Sequence, residues 1–115
     1  MSNTNNERSR ADRGEFFFAA FFDPGTGRTI KHPVLIVGKN QDSNDEQDVI
    51  VCNCTSQPAR SAYDVPVALK KPTLVRTNKI YTIRRDQLLF KIAHSVDQSI
   101  MTKILHTVAK TIADA

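Results

Sequence analysis

The sequence predicts a mainly β domain with one C-terminal helix, its five or six short strands bent into a small barrel. Three observations predict it. Hydrophobic runs suited to buried strands recur as HPVLIV at residues 32–37, DVIVCNCTS at 48–56 and PTLVRTNKIYTI at 72–83, each with polar or cationic groups along it or at its end. The apolar period changes from two to about 3.6 only near the end of the chain. A chain of 115 residues with 40% hydrophobic side chains has enough material for one compact core.

The elements follow in order. Residues 1–13 are polar, rich in Asn and Ser, and too poor in apolar groups to offset the entropy of ordering, so a disordered tail is expected before a domain spanning 14–115. GEFFFAAFF, from Gly14, reads as a first strand. Asp23, Pro24, Gly25, Thr26 and Gly27 then form a turn-prone loop ahead of a second strand at 33–39. The polar, acidic stretch 40–47 is a solvated connection to a third strand at 48–54. Further strands are expected at 64–69, with Pro66 marking an edge or bulge, at 73–78 and at 88–94.

Beyond these, Val96, Ile100, Ile104, Val108 and Ile112, with Met101 and Leu105 beside them, draw one apolar stripe at helical spacing. Ser95 followed by Gln98 fits a capping box at its start. The stripe is expected to pack on the sheet as core. Short strands with one terminal helix make the barrel SH3-like in type.

Charge and cysteine usage narrow the function classes. Residues 1–56 carry six Lys and Arg against eight Asp and Glu, whereas residues 57–115 carry ten against four. The basic second half suits a polyanion such as RNA, or an acidic protein segment. The chain's only dense apolar run, Phe16 to Phe22, falls far short of the ~20 residues of a membrane span, and no signal-peptide pattern opens the chain, so a cytoplasmic location is expected. Cys52 and Cys54 sit two apart in a strand and point to one face, poorly placed to bond each other and without His or Cys partners at metal-ligand spacing. They are expected to be packing thiols, and neither a metal nor a cofactor is expected.

The ordered set of phrases resembles the PemK/MazF family of bacterial toxins. Gly14 and Glu15 before the aromatic strand, the DPGTG loop, HPVLIV, VIVCNCTS, DVPVAL and LVRTNKIYTI each have a counterpart there, in the same order and followed by a helix. No single phrase is specific; the order and spacing carry the likeness, which runs from Gly14 nearly to the end. The resemblance implies an SH3-like barrel, a homodimer, metal-independent cleavage of single-stranded RNA, and an antitoxin that wraps the toxin with an acidic segment and alone touches DNA.

The chemistry such a reaction needs is simple. RNA cleaves itself when a 2′-hydroxyl attacks the adjacent phosphate, so a protein supplies a base, a cation for the crowded phosphorane and an acid for the leaving oxygen. Arg76 offers a planar, permanently charged fork for phosphate oxygens and falls where the resemblance implies a catalytic Arg. Thr55 and Ser56, at a strand end, offer hydroxyl donors, Thr55 as a catalytic candidate and Ser56 for RNA binding.

Two positions depart from the family pattern. His32 replaces an Arg before the Pro; an imidazole still gives or takes a proton near neutrality, which makes His32 a third catalytic candidate. Asn78 replaces an acid two positions after Arg76 and is left with nucleotide binding by its amide. Arg28 and Lys31, read as a loop before the second strand, and Lys79 are candidates for backbone phosphates, and Tyr81 for base stacking. The lost charges keep two other readings open: a barrel of the CcdB type that poisons gyrase by binding, and a degenerate member that retains only antitoxin binding.

Overall fold

The alternation of apolar and polar residues along the first two strands gives a hairpin, and the turn between them is built by its own side chains. The computed structural model describes Arg8, residues 10–38 and residues 47–113. β1 (Glu15–Asp23) and β2 (Arg28–Ile36) pair antiparallel from Phe16 opposite Leu35 to Asp23 opposite Arg28. At the turn, the Asp23 carboxylate accepts from the Gly25 amide at 3.0 Å and the Thr26 hydroxyl at 2.9 Å. Gly27 closes it at φ +71°, a conformation that favours glycine.

Four more strands complete the sheet: β3 (Asp48–Thr55), β4 (Asp64–Ala68), β5 (Pro72–Arg84) and β6 (Leu88–Ser95), with one 3₁₀ turn, Arg85–Gln87, before β6. All pairs are antiparallel, and the order across the sheet is β4-β5-β3-β2-β1-β6. The expected class, mainly β with one helix, is what forms. Among the described residues, however, the sheet does not close, because β4 pairs only with β5 and β6 only with β1. Pro66 has no N–H to extend a ladder, and β4 is the edge that such a residue requires.

Successive side chains leave opposite faces of the sheet, and each face buries its own cluster. One holds Phe16, Leu35, Val37, Cys52, Cys54, Val65, Val67 and Val75, and is covered by α1 (Gln98–Ala113) through Ile104. The other holds Phe17, Ala19, Val34, Ile36, Val49, Val51, Ile83 and Leu88. Cys52 and Cys54 are free and buried. Burial pushes the Cys52 thiol up to about 12 and raises Cys54 as well. The packing role expected of both matches this environment. No described helix is long and apolar enough to cross a membrane.

Several local expectations are corrected. β2 starts at Arg28, so residues 28–32 belong to a strand and not to a loop; hairpin pairing to β1 overrides their polarity. β5 runs to Arg84 and does not end at Asn78, since the chain rejoins the ladder after a bulge. The helix is capped by Asp97, whose carboxylate accepts from the Ile100 amide at 2.9 Å, while Ser95 remains in β6.

The described residues before β1 pack on the sheet. Ala11 is fully buried in the second cluster, and Arg85 Nη1 donates to the Arg8 and Ala11 carbonyls at 3.0 and 2.8 Å. A cation from the 3₁₀ turn after β5 thus satisfies backbone at the end of a stretch expected to be disordered. Residues 1–7 and 9, like the connection 39–46, lie outside the described residues.

Candidate functional site

The site begins with a break in register. On β3 the step from Cys52 to Asn53 is answered on β5 by the step from Ile80 back to Arg76, so Thr77, Asn78 and Lys79 leave the β3 ladder. Such a bulge bends a strand and re-aims its side chains. The run Thr-Asn-Lys tolerates it because all three side chains are polar, and Thr77 is held from the other side. Its amide and hydroxyl both donate to the Tyr63 carbonyl, at 3.0 and 2.6 Å.

Below the bulge, Asn53, Arg76 and Asp64 stand directly opposite one another on β3, β5 and β4. Arg76 Nη1 donates to Asp64 Oδ2 at 2.7 Å, and the side chains are 8% and 1% exposed. The same Oδ2 accepts from the Arg60 amide at 2.7 Å, which folds the β3–β4 loop back onto the pair. On the other flank, Asn53 Oδ1 is buried and has no hydrogen-bond partner among the described residues. Above the pair opens a cleft of about 190 Å³, lined by Arg60, Ser61, Asp64, Arg76, Asn78 and Lys79. Three cations against one carboxylate, with hydroxyl and amide donors beside them, make it suited to an anion.

The structure thus brings three predicted residues, Arg76, Asn78 and Lys79, to one cleft. His32, Thr55, Ser56, Arg28, Lys31 and Tyr81 do not line it. Thr55 ends β3 two residues beyond Asn53, so it shares the face of Arg76; its hydroxyl oxygen accepts from the Gln57 amide at 3.1 Å, leaving the O–H free to donate. Ser56 is exposed just past the strand.

His32, opposite Ala19, belongs to a second group of rings. Its centroid lies 6.0 Å from that of Phe21, which in turn lies 5.7 Å from Tyr81. Arg28 and Lys31 are exposed residues of β2, and Lys31, opposite Ala20, faces away from His32.

Sequence reasoning missed Asp64, Arg60 and Ser61. Asp64 had a signal: it is one of only four acids in the basic half and it opens a strand, which hints at a paired role. Arg60 and Ser61 had none, because their place depends on how a loop folds onto β5.

The model of the PemK-like, MazF-like toxin of type II toxin–antitoxin systems matches residues 12–112. No curated protein matches the chain. Solved structures do. An endoribonuclease in complex with its cognate antitoxin, from a mycobacterial species, is 22% identical, with a TM-score of 0.73 over 91% of this chain and 97% of that one. The toxin MazF-mt6 of Mycobacterium tuberculosis is 20% identical, with a TM-score of 0.68 over 84% and 94%. A chain of a MazE–MazF crystal structure from Deinococcus radiodurans is 12% identical, with a TM-score of 0.72 over 91% and 97%. At such identities these likenesses are of fold.

Proposed function

The chain belongs to the PemK-like, MazF-like toxin family of type II toxin–antitoxin systems, and we propose that it acts there as an endoribonuclease that cuts single-stranded RNA, mRNA above all. One observation carries the reading: Arg76, held in a buried ion pair, forms the floor of a cationic cleft together with Arg60, Asn78 and Lys79. A guanidinium fixed in advance stabilises charge that develops on a phosphorane without reorganising at the moment of reaction.

In this reading the RNA backbone enters the cleft with a phosphate on Arg76, and Lys79 and Arg60 hold the neighbouring phosphates. The Thr55 hydroxyl, on the same face, donates to a phosphate oxygen. The 2′-hydroxyl attacks the adjacent phosphorus, its proton passes to a base, and the 5′-oxygen leaves with a proton, giving a cyclic phosphate. Asn78 has no proton chemistry and serves as a hydrogen-bonding group. His32 lies outside the cleft but on the Arg76 face of the sheet, two residues from the Val34 that stands opposite Asn53; in this reading the RNA runs on from the cleft to it, His32 is the proton carrier, and Phe21 and Tyr81 offer ring faces to an unstacked base. This route needs no metal and no cofactor.

In this reading the protein acts in the cytoplasm as a homodimer. An antitoxin with an acidic segment silences it by occupying the cationic cleft, whose Arg60, Arg76 and Lys79 match such a segment in charge; a structural neighbour was solved in complex with its own antitoxin.

The test is incubation of the purified, antitoxin-free protein with a long single-stranded RNA in excess EDTA, beside Arg76→Lys, with product ends mapped. Discrete cuts ending in cyclic or 3′ phosphates, reduced about 1000-fold in the variant, are expected. Intact RNA with folded wild type would overturn the reading in favour of a toxin that only binds.

A further inference from the structure

Asp64 stands out because no step of the proposed reaction uses it, although it is the most deeply buried charge in the site. Its side chain is 1% exposed, which keeps a substrate proton from reaching it. One oxygen, Oδ2, takes two short hydrogen bonds: from Arg76 Nη1 on β5 and from the Arg60 amide in the β3–β4 loop, both at 2.7 Å. The two donors belong to different elements that line the cleft, β5 and the β3–β4 loop. A second tie joins the same two elements, from Thr77 to the Tyr63 carbonyl. Between Arg60 and Asp64 the loop is braced by Ser61, which accepts from the Tyr63 amide at 3.1 Å through its hydroxyl and from the Asp64 amide at 3.2 Å through its carbonyl.

We propose that Asp64 is the positioning residue of this site, fixing the Arg76 guanidinium and the Arg60–Ser61 loop with a single carboxylate oxygen. The inference rests on the ribonuclease reading for its kinetic consequence, but its geometry stands apart from it. A guanidinium with one Nη committed to a buried carboxylate has its remaining donors directed by that bond, because the fork is planar and rigid. Without the carboxylate the fork rotates, and the loop amide loses an acceptor. Uniform binding of RNA rests on exposed cations and is little affected. Placement of one guanidinium against a phosphorane is affected strongly, since misplacement by about 1 Å costs about 100-fold in rate.

Asp64→Asn is the informative variant, because the amide keeps the shape of the side chain and an oxygen for the Arg60 amide while removing the charge that holds Arg76. Its kcat on single-stranded RNA is expected to fall about 100-fold with KM within about threefold. In an Arg76→Lys background the same change is expected to cost less than about twofold, because the group through which Asp64 acts is already gone.

A third readout does not depend on cleavage. In ¹⁵N-detected guanidinium spectra of the full chain, assigned by comparison with Arg76→Lys, the Arg76 Nη resonances are expected to be slowly exchanging in the wild type and averaged in Asp64→Asn. Losses that multiply in the double variant, or Arg76 resonances unchanged by Asp64→Asn, would overturn the proposal while leaving the ribonuclease reading intact. If the wild type does not cleave RNA, that reading falls, and the guanidinium spectra still decide the role of Asp64.

Discussion

Two adjacent rows of the sheet, one residue apart, show how these strands make a core and a site at once. In the first, Cys54, Val75 and Val65 stand opposite one another on β3, β5 and β4; in the second, Asn53, Arg76 and Asp64 do. The first row belongs to the cluster under α1 and is held by packing, its one polar contact being the Cys54 thiol donating to the Cys52 carbonyl at 3.9 Å. In the second, Arg76 and Asp64 are nearly as buried, and they are satisfied by each other. Burial is common to the two rows. What differs is the condition that makes burial tolerable, and therefore how each row fails.

The charged row fails when one partner is removed. Arg76→Ala leaves Asp64 as an unpaired charge in a site that is 1% exposed, and is expected to destabilise the fold by about 3–5 kcal/mol, measured by urea unfolding. Loss of cleavage in that variant therefore says little about chemistry, which is why Arg76→Lys serves as the catalytic test. Replacing both groups together, as Asp64→Leu with Arg76→Met, is expected to restore most of the stability and none of the cleavage, since apolar residues often substitute for a buried ion pair without cost. If Arg76→Ala unfolds at the same urea concentration as the wild type, the pair is not a structural element and the contrast between the rows dissolves.

The apolar row fails by volume. Ile104, the fully buried residue of α1, packs in the same cluster as Cys54, Val75 and Val65, and Ile104→Ala is expected to cost about 2–5 kcal/mol. Cleavage per folded molecule is expected to stay unchanged, because the rows face opposite sides of the same strands. A fall in kcat at temperatures where the variant is fully folded would show that strain crosses the sheet, and would sharpen the comparison into a coupling.

How much of this was legible in the sequence depends on the range of the interaction that fixes each feature. β1, β3, β4 and β6 could be read to within about a residue at each end, because alternation of apolar residues is a local record of burial. β5 was cut short at Asn78, since a polar Thr-Asn-Lys run looks the same whether it ends a strand or forms a bulge within one. Arg76 was visible as a cation in an apolar phrase. Its partner was not: the nearby position where the family carries an acid holds Asn78, whereas the carboxylate comes across the sheet from Asp64, twelve residues earlier. Pairing of that kind is set by register, which no single strand encodes. The burial of Ala11 was hidden for a similar reason, because the acceptors around it are satisfied by an Arg85 far along the chain.

The smallest expected effect lies at the start of α1, where the apolar row receives its cover. The Ser99 hydroxyl and then the Ile100 amide donate to the Asp97 carboxylate and hold it below its ordinary carboxylate range. A carboxyl whose value is lowered by folding adds stability that is fully present above its unfolded value and is lost as pH falls through the folded one. The wild type should therefore exceed Asp97→Asn in melting temperature at neutral pH by a small margin, and that margin should close on acidification. Asn still accepts from an early helical amide, so the comparison isolates the charge and leaves the cap in place. A margin that stayed constant into strong acid would assign the difference to hydrogen bonding alone. Whichever way the margin behaves, cleavage by the folded protein should not follow it, because Asp97 acts on the helix over the apolar row and touches nothing in the row that carries Arg76.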